Sequence, residues 1–242
     1  MFEPRKLRVH YGIEKSDGTR VDFDIRLDEQ GLLEDLADSG PEWTRLQGER
    51  CPGCTARHAN CRAALAIAPV VEAFKAMDSL EPVRARVTLT NHAVDARCAV
   101  SQVVSSVMGL RMAASGCSKL APFRAMALYH QPFSTLEDTV IRAAGFMLLG
   151  RWAHGTLTSE NPFGPLIEAW ENLEEVNTRI CRGMQAYCAA DAALNGLVNL
   201  DMFAKSGGFG LQAALDALKP ALLAWNIGLP AAAAPSAVMT NA

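Results

Sequence analysis

The chain of 242 residues is half hydrophobic and one-fifth charged, enough apolar material for one large domain or two smaller ones sharing an interface, so most of it should fold without metal. Its formal net charge of −3 excludes a general electrostatic pull toward nucleic acid, which asks for a basic face. With no apolar leader over residues 1–6 and no run near the roughly 20 apolar residues that span a bilayer, neither export nor membrane binding is indicated, and the chain reads as cytoplasmic.

Leu7, Val9, Tyr11 and Ile13 alternate with polar residues, as do Val21, Phe23, Ile25 and Leu27 beyond a Ser16-Asp17-Gly18-Thr19 turn. The period of two predicts a hairpin with one wet face. A short amphipathic piece at Leu32, Leu33 and Leu36 ends at Ser39-Gly40-Pro41. After a cysteine-rich loop, Leu65, Ile67, Val70, Val71, Phe74 and Met77 fit a helix from Arg62, in which Pro69 predicts a kink or a late start. A second alternating pair follows, Val83, Ala85, Val87 and Leu89 with Val94, Ala96, Cys98 and Val100, flanking Thr90-Asn91-His92-Ala93. The first hundred residues thus read ββ-loop-α-ββ, and the fold class is α+β, antiparallel hairpins packed on a C-terminal multi-helix region. Cys98, on the apolar phase of its strand, reads as a buried free thiol.

Beyond Val100 only helical patterns occur. Ser101 opens a helix carrying Val103, Val104, Val107, Met108 and Met112, which stops at a glycine cap, Ser115-Gly116, with Cys117 directly beyond. Pro122 suits the first turn of a short helix through Leu128, and His130 at its end is placed to cap carbonyls as a cation. Ser134 and Glu137 match a capping box heading a helix that reaches Trp152. A loop over 155–164 precedes a helix from Leu166 to about Tyr187, on which Cys181 and Cys188 share a face as core thiols. Two further helices, near 190–205 and 210–226, are separated by a hinge at Ser206-Gly207-Gly208-Phe209-Gly210, the second bent or broken at Pro220. Asp191 is placed to start the first of them, while Asn195, Asn199 and Asp201 interrupt its apolar face, where buried polar groups would order interhelical hydrogen bonds. The organisation is a sheet region with a cysteine cluster over 1–100, a helical region over 101–227 and a loose tail over 228–242.

The chemistry concentrates in residues 51–61, Cys51-Pro-Gly-Cys54-Thr-Ala-Arg-His58-Ala-Asn-Cys61. Two thiols separated by Pro-Gly can grip one ion from a tight turn, and His58 with Cys61 has the i, i+3 spacing of one helix face. With seven cysteines in a reducing compartment, thiols or metal ligands are expected rather than disulfides. A closed zinc site needs four ligands, which the local set Cys51, Cys54, Cys61 and His58 supplies, with Cys117 a remote fifth candidate; four cysteines including Cys117 would equally suit an iron–sulfur cluster. No dinucleotide or phosphate-binding glycine loop, zinc-protease helix or nucleophile elbow occurs.

At Cys51-Pro-Gly-Cys54, His58-Ala-Asn-Cys61, Ala114-Ser-Gly-Cys117 and Tyr129-His-Gln-Pro-Phe133 the sequence resembles an uncharacterised family of bacterial proteins that begin with a β-hairpin and continue into helices. The resemblance covers about residues 7–225 and implies that Cys117 belongs to the ligand set. Where that family tends to place proline after its third and fourth cysteines, Arg62 and Ser118 stand here. It implies no reaction. The expected function is therefore a metal-binding protein, zinc or iron–sulfur, structural or sensory rather than catalytic. The alternatives are a thiol-redox enzyme or sensor acting through Cys54 and Cys61, and an interaction module with an unknown protein partner.

Overall fold

Alternation with a period of two becomes strand where one face has something to cover it. The computed structural model describes residues 5–46, 50–158 and 162–223, at 208 and 209 the backbone alone. In it β1 (Leu7–Glu14) and β2 (Arg20–Leu27) pair antiparallel, from Leu7 opposite Leu27 to Glu14 opposite Arg20. β3 (Pro82–Thr88) and β4 (Ala93–Ala99) form the second hairpin, and β3 lies antiparallel beside β1, giving the order β2-β1-β3-β4. Leu7, Val9, Tyr11, Ile13, Ile25, Leu27, Val83, Ala85 and Val87 are buried on one face. The other carries charge, with Arg86 3.0 Å from Asp95 and Arg20 3.0 Å from Asp22. The fold is α+β. Cys98 is only half-buried, because β4 is an edge strand whose inner face is incompletely covered.

α1 (Arg62–Phe74) buries Ala63, Ala64, Ile67, Val70, Val71 and Phe74, packing along α2 (Val100–Ala113) and setting the Phe74 ring 6.1 Å from that of Phe23 in β2. Pro69 neither delays this helix nor ends it. It stands exposed, and although it offers no amide to the Leu65 carbonyl, the next carbonyl, of Ala66, accepts from Arg111 Nε. Arg111 belongs to α2, which is apolar on most sides and packs between α1 and α6 (Ala192–Leu223), the position such a sequence requires. Its guanidinium, buried along most of its length, also pairs with Asp35 at 3.1 Å. A single cluster of buried residues runs from Leu7 in β1 to Ala214 in α6. No described helix is long and apolar enough to cross a membrane.

After α3 (Arg124–Leu128), the start of α4 (Leu136–Ala153) differs from expectation by one residue. Its capping box is made by Thr135 and Asp138, not by Ser134 and Glu137. Asp138 N donates to Thr135 Oγ1 at 3.1 Å and Thr135 N to Asp138 Oδ2 at 3.0 Å. Ser134 is engaged elsewhere, donating to Gln131 O at 2.8 Å and accepting from Arg142 at 2.9 Å, so the cap passes to its neighbour. Thr135→Ala should therefore cost about 1 kcal/mol in urea unfolding, while Glu137→Ala leaves the midpoint where it was.

α5 (Gly164–Gln185) packs along α6. Cys188 lies beyond the end of α5, so it and Cys181 do not share one helix, although the charge of Cys181 still reaches Cys188. α6 is one continuous helix, unbroken by residues 206–210 or by Pro220. The reason lies in a neighbour: a Cβ on Gly207 would stand 2.6 Å from Trp170 Cδ2, so this glycine admits an indole rather than a bend. Gly207→Ala should cost about 1–3 kcal/mol through overpacking, and an unchanged thermal midpoint would show that Trp170 has room to move. Asp191 does sit at the head of α6, its carboxylate accepting from Ser79 N at 2.7 Å and Ser79 Oγ at 3.0 Å. The expected helix end near 226 and the tail over 228–242 lie outside the described residues.

Candidate functional site

The cysteine loop is pinned at its base by an antiparallel bridge between Arg45 and Asn60. Leu46 N donates to Ala59 O and Cys61 N to Thr44 O, both at 2.8 Å, and the buried Asn60 amide donates to Thr44 Oγ1 at 2.7 Å. Inside the loop, Cys51-Pro52-Gly53-Cys54 is a tight turn closed by Cys54 N to Cys51 O at 3.0 Å, with Gly53 at φ 67°. Proline followed by a left-handed glycine is the sequence such a turn demands, and it fixes the separation of the first two cysteines.

Cys61 is the N-cap residue of α1. Its neighbour Arg62 donates Nε to Ser115 O at 2.9 Å, tying the head of α1 to the end of α2. There Gly116, at φ 77°, turns the chain into Cys117, which heads a 3-10 turn over Ser118–Phe123. The remote cysteine is thus delivered to the loop. Charge on Cys61, Cys117 and Cys54 acts on Cys51, and charge on Cys61 and Cys54 acts on Cys117. Cys51 and Cys61 are buried, Cys54 and Cys117 half-buried, and His58 is exposed.

α5 lies against the loop at Cys51 and at its base. Cys51 Sγ lies 3.9 Å from Glu175 O, Lys119 Nζ is 2.7 Å from the Glu175 carboxylate, and Arg179 donates to Arg45 O. Nothing in the sequence singled out Glu175 or Arg179. Arg62 and Lys119 had one signal available, a basic residue beside or two places after a cysteine.

Burial first, and then the like charge of the three other thiols, pushes the Cys51 thiol up to about 11, with Arg179 pulling the other way. Cys117 is also raised by burial, while the Lys119 and Leu120 amides at its sulfur counteract it. Thiols so placed oppose one another's ionisation, a penalty that a cation among them turns into attraction. All seven cysteines are free, and among the described residues no three Cys, His, Asp or Glu side chains stand in an arrangement that holds an ion as they are.

The Tyr129-His-Gln-Pro-Phe133 motif serves a separate network, and His130 is not a protonated cap. The α3 carbonyls of Met126 and, just past the helix, Tyr129 are taken by Arg142 at 3.3 and 3.2 Å. His130 Nε2 instead pairs with Tyr11 Oη at 2.5 Å, which in turn pairs with Ser106 Oγ at 2.8 Å. The residue is half-buried as a whole, but its ring is enclosed; that burial, and then the Arg142 charge, holds the imidazole down to about 3, so it is neutral. Phe133 sits at φ 57° and donates its amide to the same Ser106 oxygen at 3.4 Å.

A family model described as a domain of unknown function, DUF6901, matches residues 9–222. No curated protein and no solved structure gives a match. The matched span runs from within β1 to the last turn of α6 and includes Cys51, Cys54, Cys61, Cys117 and the Tyr129–Phe133 stretch, and the chain therefore belongs to the DUF6901 family.

Proposed function

We propose that the protein binds one metal centre, zinc in preference to an iron–sulfur cluster, through Cys51, Cys54, Cys61 and Cys117, and that the centre is structural or sensory rather than catalytic. The observation that carries this reading is the arrival of Cys117, from beyond the α2 cap, among three cysteines of a loop that lies against α5. Four sulfur donors form the soft, closed ligand set that tetrahedral zinc favours and that a cluster also accepts. The exposed His58 stays outside that set. When bound, the ion supplies the positive charge that lets four neighbouring thiols ionise, and it draws the loop, the head of α1 and the end of α2 onto one point.

Protein purified without chelator should carry about one zinc per chain, or show the visible charge-transfer bands of an iron–sulfur cluster. Added chelator should lower its thermal midpoint. Metal-free protein whose midpoint ignores chelator would sink the proposal.

The competing reading, thiol–disulfide chemistry through Cys54 and Cys61, draws on the place of Cys61 as the N-cap residue of α1, close to other free thiols. It requires alkylation of Cys61 with a midpoint well below about 8.5, the value for a free thiol. A midpoint at or above that value removes it.

A further inference from the structure

A strand at the end of a sheet leaves one row of backbone amides and carbonyls without a ladder partner. At one end of the order β2-β1-β3-β4, β2 is met by Leu33, which bridges to Leu27, and by Glu34, whose amide donates to Arg26 O at 3.0 Å. At the other end β4 pairs only with β3 among the described residues. The bonds from Leu89 N to His92 O at 2.8 Å and from Val100 N to Glu81 O at 2.9 Å fix the phase of that ladder. Val94, Ala96 and Cys98 turn their backbone toward β3, and Ala93, Asp95, Arg97 and Ala99 turn theirs outward. Among the described residues only the last of these outward amides is answered, Ala99 N donating to Gln102 Oε1 at 3.3 Å. The edge holds no proline, its register with β3 runs without a bulge, and its inner-face residues Val94, Ala96 and Cys98 stay half-buried.

The side chains of this edge complement their own reversed copy. Arg97 is exposed, stands directly opposite the like-charged Arg84 of β3, and makes no ion pair among the described residues. Asp95 pairs with Arg86 at 3.0 Å and still keeps its side chain 67% exposed. Ala96 is the midpoint of β4, so an antiparallel pair centred on it gives all seven residues of the strand a counterpart. On the solvent face Asp95 then falls opposite Arg97 of the second copy, twice by symmetry, and on the inner face Val94 falls opposite Cys98. The outward backbone groups of Asp95 and Arg97 meet as hydrogen-bonded pairs. Centring the pair on Asp95 or on Arg97 would instead set like charges face to face, so charge selects the register. We propose that β4 is a self-association edge through which two copies of this chain join their sheets into one. Such an isologous contact closes at two. One short strand buries less than a standard stable interface, so the dimer should form in the micromolar range. The edge is separate from the cysteine cluster and acts whether or not that cluster binds metal.

The test is sedimentation velocity of the full chain over a micromolar concentration series, with reductant present so that no disulfide contributes. The mean mass should climb from one chain toward two and stop there. Asp95→Arg and Arg97→Asp each set like charges opposite one another twice across the axis, and each should weaken self-association about tenfold or more. The two variants mixed in equal amounts should associate again, because residue 95 of each chain then faces the opposite charge at residue 97 of the other. That recovery also shows that neither variant lost association by misfolding. The proposal is overturned if the wild type stays a single chain throughout the series or grows past two. It is equally overturned if either variant alone associates like the wild type, or if the mixture associates no better than its components.

Discussion

Cys117→Ser should yield protein without stoichiometric metal and with a thermal midpoint lower by about 10 °C, while His58→Ala keeps both metal and midpoint. The size follows from chain entropy. A tie from Cys61 to Cys117 closes roughly 55 residues, worth about 4 kcal/mol in the loop-closure picture, and for a chain of this length each kcal/mol moves the midpoint by about 2–4 °C. A ligand inside the 51–61 loop closes only a few residues, so a local histidine contributes far less by this route. His58 is also exposed, whereas Cys117 is half-buried and held by the Arg62 to Ser115 bond behind it. Inductively coupled plasma mass spectrometry with differential scanning calorimetry on the two variants checks the expectation. A metal-replete Cys117→Ser beside a metal-free His58→Ala would reverse the ligand assignment.

The second large effect is acid sensitivity from His130. Its folded-state pKa, about 3, lies below the ordinary histidine value of 6.5, because the ring is enclosed and Arg142 is close. Between those two values the unfolded chain takes up a proton that the folded chain refuses, so stability rises with pH across that window and falls as the solution is acidified. The slope from this one group is about 1.4 kcal/mol per pH unit. Above pH 7 both states are neutral at this position and the contribution vanishes. Urea unfolding between pH 6.5 and 5 isolates the effect, since Asp17, Asp138 and Asp191, all held below the usual carboxylate range, lose their contribution only at lower pH. His130→Gln keeps a polar group beside Tyr11 and should flatten that slope. A His130 imidazole that titrates near 6.5 in NMR spectra of the folded protein would contradict the account.

What the sequence made legible was whatever local pattern decides. Both hairpins followed from alternation, because Leu7, Val9, Tyr11 and Ile13 share a face whatever they pack on. Gly116 as a cap and Cys51-Pro-Gly-Cys54 as a turn followed from residue types that few other conformations accept. What remained hidden depended on a distant neighbour. Gly207 reads as a hinge until Trp170 is laid across it. His130 reads as a cap until Arg142 takes the carbonyls and Tyr11, far away in sequence, takes the ring. The box at Ser134 and Glu137 and the one at Thr135 and Asp138 are equivalent as patterns, and only the bonds of Ser134 to Gln131 and Arg142 choose between them. Around the cysteines, the spacing named the sulfur atoms but not Glu175 or Arg179, which reach the loop from α5.

The most direct test of a four-cysteine metal centre is X-ray absorption at the metal edge on the purified wild-type chain. The account predicts a first shell of sulfur alone, four scatterers at about 2.3 Å for zinc, unchanged in His58→Ala. A shell containing imidazole nitrogen, or protein that carries no metal to measure, would contradict it.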